Sequence, residues 1–475
     1  MSWGIWLVSG FLLFYRLGVN HLSNWDEAWL AAISRTMLQS GNYLTPIWNT
    51  QVFFDKPPFY YWASAIAMKI FGINEFSARL PSALAGVGTV WLVYLLTKLW
   101  FKQKSTALTA SLILISTIGF LYRSRTGNLD TFLTFWIMLA IWAYYRLLKP
   151  KSESWTIWFM VGLVGAFLTK GLIALVFPVV VVVWGLIRPQ QKLLPRQFHW
   201  GVSGAVVIGL GWLGVNAVVN GPDYLNYFLG HQAEKTFARW QIWQTFSWDY
   251  LGYLRSGLKL WIIPAVPSLV YAWWRLRKHP AYPAVVYVTG MLIGLSFFAN
   301  KSNWFLVPLY PLIAIITSYG IWEIGGIKLK LKILKFKLRE RTFIITAILV
   351  AISAWQLYHY REQYLTPDVA ADEAKVALAA KQLTNSGDTL YLTHYYCPTT
   401  VYYSERRVLA VYSEQESNRA WYILPKTAWP EITKLERLFV VTTREEWGFL
   451  QDYLPSGKFT VLAQSGEKLL LAKKR

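Results

Sequence analysis

Charge is scarce in this chain. Only 15% of its 475 residues are charged, where a soluble globular chain carries about a quarter. Acids are scarcer still, with 25 Asp and Glu against 47 Lys and Arg. The single cysteine, Cys397, excludes an intrachain disulfide. The N-terminal stretch "MSWGIWLVSGFLLFYRLG" lacks a basic n-region and a small-residue cleavage site, so it reads as an uncleaved first span. No repeat of solenoid period and no long low-complexity linker is present.

What the chain has instead is apolar and aromatic surface: 55% hydrophobic residues, 27 Trp and 28 Tyr. Trp and Tyr collect at membrane interfaces. The net charge of +22 does not point to nucleic acid, because the bases fall in short loops between apolar runs rather than in a binding stripe. A membrane helix needs about 20 mostly apolar residues. Candidate spans lie near 3–18, 79–100, 105–122, 128–148, 155–170, 171–187, 200–218, 255–274, 282–299, 303–324 and 342–359, about eleven in all. Residues 155–187 also read as one hairpin or a re-entrant pair.

The basic loops "FKQK", "RLLKPK", "RPQQKLLPRQ", "RLRKHP" and "IKLKLKILKFKLRER" fall on one side if every span is real. That side is expected to be cytoplasmic, with the N-terminus. The long segments 19–78 and 219–254, and the region after about 360, are then outside. From about 366 the composition is that of a soluble domain of about 110 residues. "DVAADEAKVALAAKQL" and "REEWGFLQDYL" have a helical period. "DTLYLTHYY", "LFVVTT", "FTVLAQ" and "EKLLLAKK" read as strands. This C-terminal α/β domain, 366–475, carries no phosphate loop, metal signature or catalytic triad.

The outer face gathers acids and bases. In "SNWDEAW", Asp26 and Glu27 open a helix beginning near Asn24, where the dipole favours negative charge. Asn24 with Glu27 fits a loose capping box, which accounts for Glu27 better than for Asp26. Adjacent helical residues point about 100° apart, so the two acids need not share a job. In "FFDKPPFYYW", the prolines hold Asp55 and Lys56 on a stiffened turn before the aromatic run Phe59, Tyr60, Tyr61 and Trp62. "YRSRTGNLDTF" puts Arg123, Arg125, Asn128 and Asp130 at span ends, where caps and anchors are the plain reading. "FANKSNWFLVPLYP" adds Lys301 and Trp304. Ionisable residues recurring at the outer ends of spans suggest a site. The mixture suits chemistry on an anionic lipid head, with bases to hold phosphate and an acid to take a proton.

"DEAWLAAISRTMLQSGNYLTPIWNTQVFFDKPPFYYW", "FGINEFSARLPSALAG", "RTGNLDTF", "FLTKGLIALVFP" and "FLVPLYP" together resemble the bacterial aminoarabinose-transferase family. They are similar also to its wider group of dolichyl-phosphate-mannose protein mannosyltransferase-like enzymes. The resemblance covers the membrane region, residues 1–360. It implies a GT-C membrane glycosyltransferase: an α-helical polytopic protein with juxtamembrane helices in the first outer loop and the C-terminal α/β domain appended. It implies transfer of a sugar from a polyprenyl-phosphate donor to a lipid A-like glycolipid, another envelope glycan or a protein, at the extracytoplasmic face of the plasma membrane. Asp26 matches the family's first-loop acid and Asp130 the acid after the third span; these are the expected catalytic residues. Lys56 matches the lysine that contacts the carrier phosphate, where Asp55 replaces the family's usual Glu. Trp304 stands where the family often has a phosphate-contacting Tyr.

In the mechanism this implies, Lys56, Lys301 and one of Arg123 or Arg125 stabilise the departing phosphate. A divalent metal is a further expectation, with Glu27, Asp55 and His231 as its ligands. A lone loop histidine is more often a solvated surface residue. Direct displacement inverts the anomeric centre; a carboxylate nucleophile, for which Asp130 is open, gives a double displacement. Tyr60, Tyr61, Trp62 and Trp304 are expected along a lipid groove. The competing class is a lipid-linked-sugar flippase, which would favour internal repeats and midplane charges; a receptor with an outer sensor domain leaves the clustered charges unexplained.

Overall fold

The computed structural model describes residues 3–233, 246–298, 301–328, 338–365, 367–413, 422–449 and 456–474. They form two compact units. The first holds residues 1–16, 54–60 and 80–366, and the second 17–53, 61–79 and 367–475.

The first unit is helical, and each expected span is a helix or a broken helix. Among the described residues, five helical runs suffice by length and apolar composition to cross a membrane, Glu75–Phe101, Trp155–Ile187, Arg196–Asn220, Asn303–Ile324 and Thr342–His359. A sixth is the bent pair Lys104–Ser116 and Ile118–Arg125 if taken as one span. That is fewer than the expected eleven: Trp3–Phe14 and Tyr282–Ser296 are short apolar helices, 249–275 is broken at Lys259–Trp261, 155–187 counts as one run, and the Leu129–Leu147 helix is not among them. The Trp155–Ile187 run does not cross once. Gly162 packs on Ala140 and Gly165 on the Trp136 ring, while Lys170 reaches Asp130, so Trp155–Lys170 runs antiparallel to the Leu129–Leu147 helix. Gly201 and Gly209 lie against Phe159 and Phe167, so Arg196–Asn220 runs parallel to Trp155–Lys170. The chain must return between them, which fits the hairpin reading.

The break at Thr117 is a 64° bend. Thr117 leaves the helix with ψ 110, which orphans carbonyls at membrane depth, where no water can satisfy them. Gln356, fully buried, donates from Nε2 to the Ser116 carbonyl at 2.6 Å and accepts the Leu260 N–H at 2.9 Å through Oε1. One amide thus satisfies two helix breaks.

In the second unit, a small antiparallel pair, β1 (Ile47–Trp48) and β2 (Gln51–Val52), lies in the first outer loop. The C-terminal part adds β3 (Thr389–Leu392), β4 (Arg407–Ser413), β5 (Ile423–Pro425), β6 (Phe439–Thr443), β7 (Phe459–Ser465) and β8 (Lys468–Lys473). Their order is β5-β4-β3-β6-β8-β7. Strands β5, β4, β3 and β6 are parallel and β8 and β7 antiparallel. Strands β3, β6, β7 and β8 answer the sequence reading; β4 and β5 add two more. Trp429, Val440 and Leu471 lie in the core of this domain.

The first outer loop was expected with the membrane region, yet it packs on this sheet domain. Leu22 N–H donates to Tyr403 Oη at 2.8 Å. Arg35 donates to the Tyr402 carbonyl at 2.5 Å. Asn49 makes two 2.8 Å bonds with the Val408 backbone. Sequence separations beyond 350 residues hide these contacts from local patterns.

Candidate functional site

In the first unit the site is built from the Leu129–Leu147 helix. Asn128 is its N-cap, extended at φ −152, and its side chain accepts the Asp130 and Thr131 N–H groups. Asp130 is buried, with one oxygen 2.6 Å from Arg123 Nη2 and the other 2.5 Å from Lys170 Nζ. Both its oxygens are engaged by cations, so it is a poor nucleophile or base. The geometry makes it a holder of Arg123 and Lys170. The Arg123 guanidinium lies 5.6 Å from the Trp304 ring centre, and Lys170 Nζ 5.1 Å from that of Phe305. Arg123 and Trp304, with Tyr122, Tyr253, Tyr310 and Gln363, line a cavity of about 310 Å³. That is the small end of the range for ligand pockets.

The Asp55–Lys56 turn is fixed to the same helix. Phe59 packs on Phe132 and Trp136 at 5.3 and 5.1 Å. Tyr60 Oη bonds Ser82 Oγ at 3.1 Å, and Ser82 in turn bonds the Asn128 backbone. Lys56 Nζ is 3.0 Å from Asp55. Lys301 Nζ donates to the Phe298 carbonyl at 2.9 Å.

Several expectations are corrected. Arg125 is no phosphate ligand: its guanidinium donates to the carbonyls of Tyr364, Leu12 and Tyr15. Of the two arginines, Arg123 lines the cavity. Tyr60 and Tyr61 are 1% and 0% exposed, so neither lines an open lipid groove. Trp62, in the second unit, donates to the Tyr43 carbonyl at 2.7 Å. Trp304 keeps its exposure and lines the cavity.

In the second unit the helix runs Asp26–Ser40, and no side chain caps its start. The expected Asn24–Glu27 box does not form. Glu27 Oε2 instead accepts the Ser23 N–H at 2.8 Å and Ser23 Oγ at 3.0 Å. Arg79 Nε and Nη2 meet the two Glu27 oxygens at 2.7 and 3.0 Å. Arg79 spends its other donors on the carbonyls of Leu17, Asn20 and His21. Asp26 is half-buried.

Two of the three expected metal ligands are already ion-paired. Glu27 is committed to Arg79 and Ser23, and Asp55 is ion-paired with Lys56. The side chain of His231, on the Asp223–Ala233 helix, lies outside what the structure describes, as does the loop after it. Among the described residues no three His, Cys, Asp or Glu side chains gather as metal ligands. No step is assigned to a metal.

Sequence reasoning passed over Lys170, Arg79 and Gln356. Lys170 had a signal, a lone cation within a long apolar run.

A family profile described as dolichyl-phosphate-mannose-protein mannosyltransferase matches residues 55–213. The structure superposes on the crystal structure of ArnT from Cupriavidus metallidurans bound to undecaprenyl phosphate with a TM-score of 0.78, at 20% identity over 99% of this chain and 97% of that one. The chain has the GT-C fold of that structure, and over residues 55–213 its sequence is similar to the mannosyltransferase family. An archaeal oligosaccharyltransferase, AglB from Archaeoglobus fulgidus, shares this GT-C fold at a TM-score of 0.60 and 13% identity, covering 93% of this chain and 69% of its own. Among curated proteins, the undecaprenyl phosphate-alpha-4-amino-4-deoxy-L-arabinose arabinosyl transferase of Shewanella sediminis is 31% identical over 329 residues, 66% of this chain and 58% of that protein. Its counterpart 2 in Proteus mirabilis is 28% identical over 75% of this GT-C chain and 66% of its own. The chain thus spans about three fifths of those two relatives.

Proposed function

We propose that this GT-C protein transfers a sugar from a polyprenyl-phosphate carrier to an acceptor in the cell envelope, a lipid A-like glycolipid, another glycan or a protein. The observation that carries the reading is Arg123: a guanidinium on a cavity wall, held from behind by the buried carboxylate of Asp130. As the bond from the anomeric carbon to the carrier phosphate breaks, the phosphate keeps the electron pair. Arg123, with Lys56 and Lys301 as further bases of the same unit, offsets that charge. An acceptor hydroxyl forms the new bond and loses its proton to a carboxylate. Asp26, the match to the family's first-loop acid, is the acid to test. Direct attack of this kind inverts the anomeric centre.

The basic loops support an inside N-terminus. Arg146 closes the Leu129–Leu147 helix at the end away from Asp130, about 24 Å along its axis. Tyr144 and Tyr145 there bond the Leu193 and Pro280 carbonyls, which brings the basic loops 188–197 and 275–280 to this end. By the positive-inside rule it is cytoplasmic and the Asp130 end extracytoplasmic.

The test is a transfer assay in proteoliposomes holding a radiolabelled polyprenyl-phosphate sugar and an envelope extract as acceptor. Product that depends on the protein and vanishes in Asp26→Asn is expected. Scrambling of the carrier between leaflets with no product would support the flippase instead.

A further inference from the structure

The end of the helical unit away from Asp130 carries a second cationic constellation. Its frame is rigid. Tyr144 Oη holds the Leu193 carbonyl at 2.9 Å and Tyr145 Oη the Pro280 carbonyl at 2.8 Å. Gln191 joins the two loops, accepting Trp184 Nε1 at 3.1 Å and donating to the Arg277 carbonyl at 3.4 Å. Loops 188–197 and 275–280 hold six Lys and Arg and no Asp or Glu.

Within this frame two arginines converge. Arg188 lies 5.9 Å from the Trp184 ring centre and Arg277 4.4 Å from that of Trp274. Trp184, beside Arg188, packs its ring 4.7 Å from that of Tyr282, and Trp273, whose carbonyl accepts Arg277 Nε at 3.2 Å, packs its ring 5.3 Å away. Arg188 and Arg277 are exposed, and among the described residues no carboxylate pairs with either. Two guanidiniums set on neighbouring aromatic faces, without an acid, favour an anion that joins them. Planar guanidinium forks suit phosphate oxygens, and the aromatic faces hold the arginines in place. The surface beside them is apolar and exposed: Val183 is 51%, Leu186 70%, Ile187 59% and Trp274 65% exposed. A soluble phosphate would gain nothing from that surface, whereas acyl chains would lie along it.

We infer that Arg188 and Arg277, on either side of the buried Tyr282, form a binding site for the phosphate headgroup of an anionic phospholipid, in the leaflet opposite the Asp130 end. The site is separate from the donor cavity and does not rest on the transferase reading.

The full-length protein is exchanged into nanodiscs of phosphatidylcholine containing a minor fraction of phosphatidylglycerol. Lipid retained after extraction is counted by native mass spectrometry. Wild type is expected to retain phosphatidylglycerol, and the double variant R188Q/R277Q to lose affinity at least ~10-fold, the scale of a lost charge-assisted contact. Lys149→Gln with Lys151→Gln, which removes as much charge from the same end, is expected to retain the lipid. Unchanged melting in pure phosphatidylcholine shows that the arginine variant folds. Equal retention by R188Q/R277Q and wild type, or equal loss in the lysine variant, would overturn the assignment. So would displacement of the lipid by millimolar inorganic phosphate, which would mark a soluble-anion site.

Discussion

Two buried carboxylates in this molecule are each held by an arginine, and the two arrangements end differently. Glu27 meets Arg79, and every other Arg79 donor goes to a backbone carbonyl of residues 17–21. Asp130 meets Arg123 and Lys170, and Arg123 turns its face to Trp304 on a cavity wall. The first is a closed knot that ties a loop to a helix. The second is open on one side, a cation preset where a ligand can reach it. An acid–base pair alone does not announce chemistry; whether the base faces a cavity decides.

The sharpest way to break the comparison is to cut the closed knot. Glu27→Gln leaves a buried guanidinium without its counter-charge and is expected to cost about 3–5 kcal/mol of stability. Thermal unfolding checks this, and transfer per folded molecule is expected to stay near wild type. Asp130→Asn attacks the open pair. It frees Arg123 from its position, and a misplacement of about 1 Å can cost 10²-fold in rate. The loss is expected in kcat as well as in KM, with the protein still folded. Gln356→Leu tests the frame that aims Arg123. Two backbone groups at helix breaks lose their partner, for a destabilisation of about 1–3 kcal/mol, read by chemical denaturation in detergent.

A third buried carboxylate, Glu373, belongs to the closed class. Burial pushes its carboxyl up, but His394, Lys468 and Thr400 outweigh that and hold it at about 2. Its folded value is depressed, so its stabilisation is present above the unfolded value and lost as pH falls from about 4.3 toward 2. Over the first unit of pH below 4.3 the expected loss is about 1 kcal/mol. Glu373→Gln is expected to remove that slope from the acid-unfolding curve.

The sequence was most readable where a pattern is local. Apolar runs placed each expected span on a helix or a broken helix, and short β-rich stretches placed β3, β6, β7 and β8. The ordered motifs led to Arg123, Asp130 and Lys56 as candidates. What stayed hidden depends on tertiary partners. Arg123 and Arg125 are two residues apart on one helix, about 200° around its axis, and only the fold shows which one spends itself on carbonyls. Glu27 and Arg79 lie 52 residues apart. Tyr60 and Tyr61 carry interfacial side chains, yet a buried serine, Ser82, drew Tyr60 inward. Gln356 sits in an apolar helix with nothing nearby to mark it, because the breaks it mends lie 96 and 240 residues away.

The most direct test of the account is the transfer rate of Arg123→Gln, measured per folded molecule with a polyprenyl-phosphate-linked donor. Removing a preset cation from a charge-developing site costs about 10²–10³-fold, and that loss is predicted with the melting temperature little changed. Wild-type turnover in Arg123→Gln would contradict the open pair as the site of chemistry.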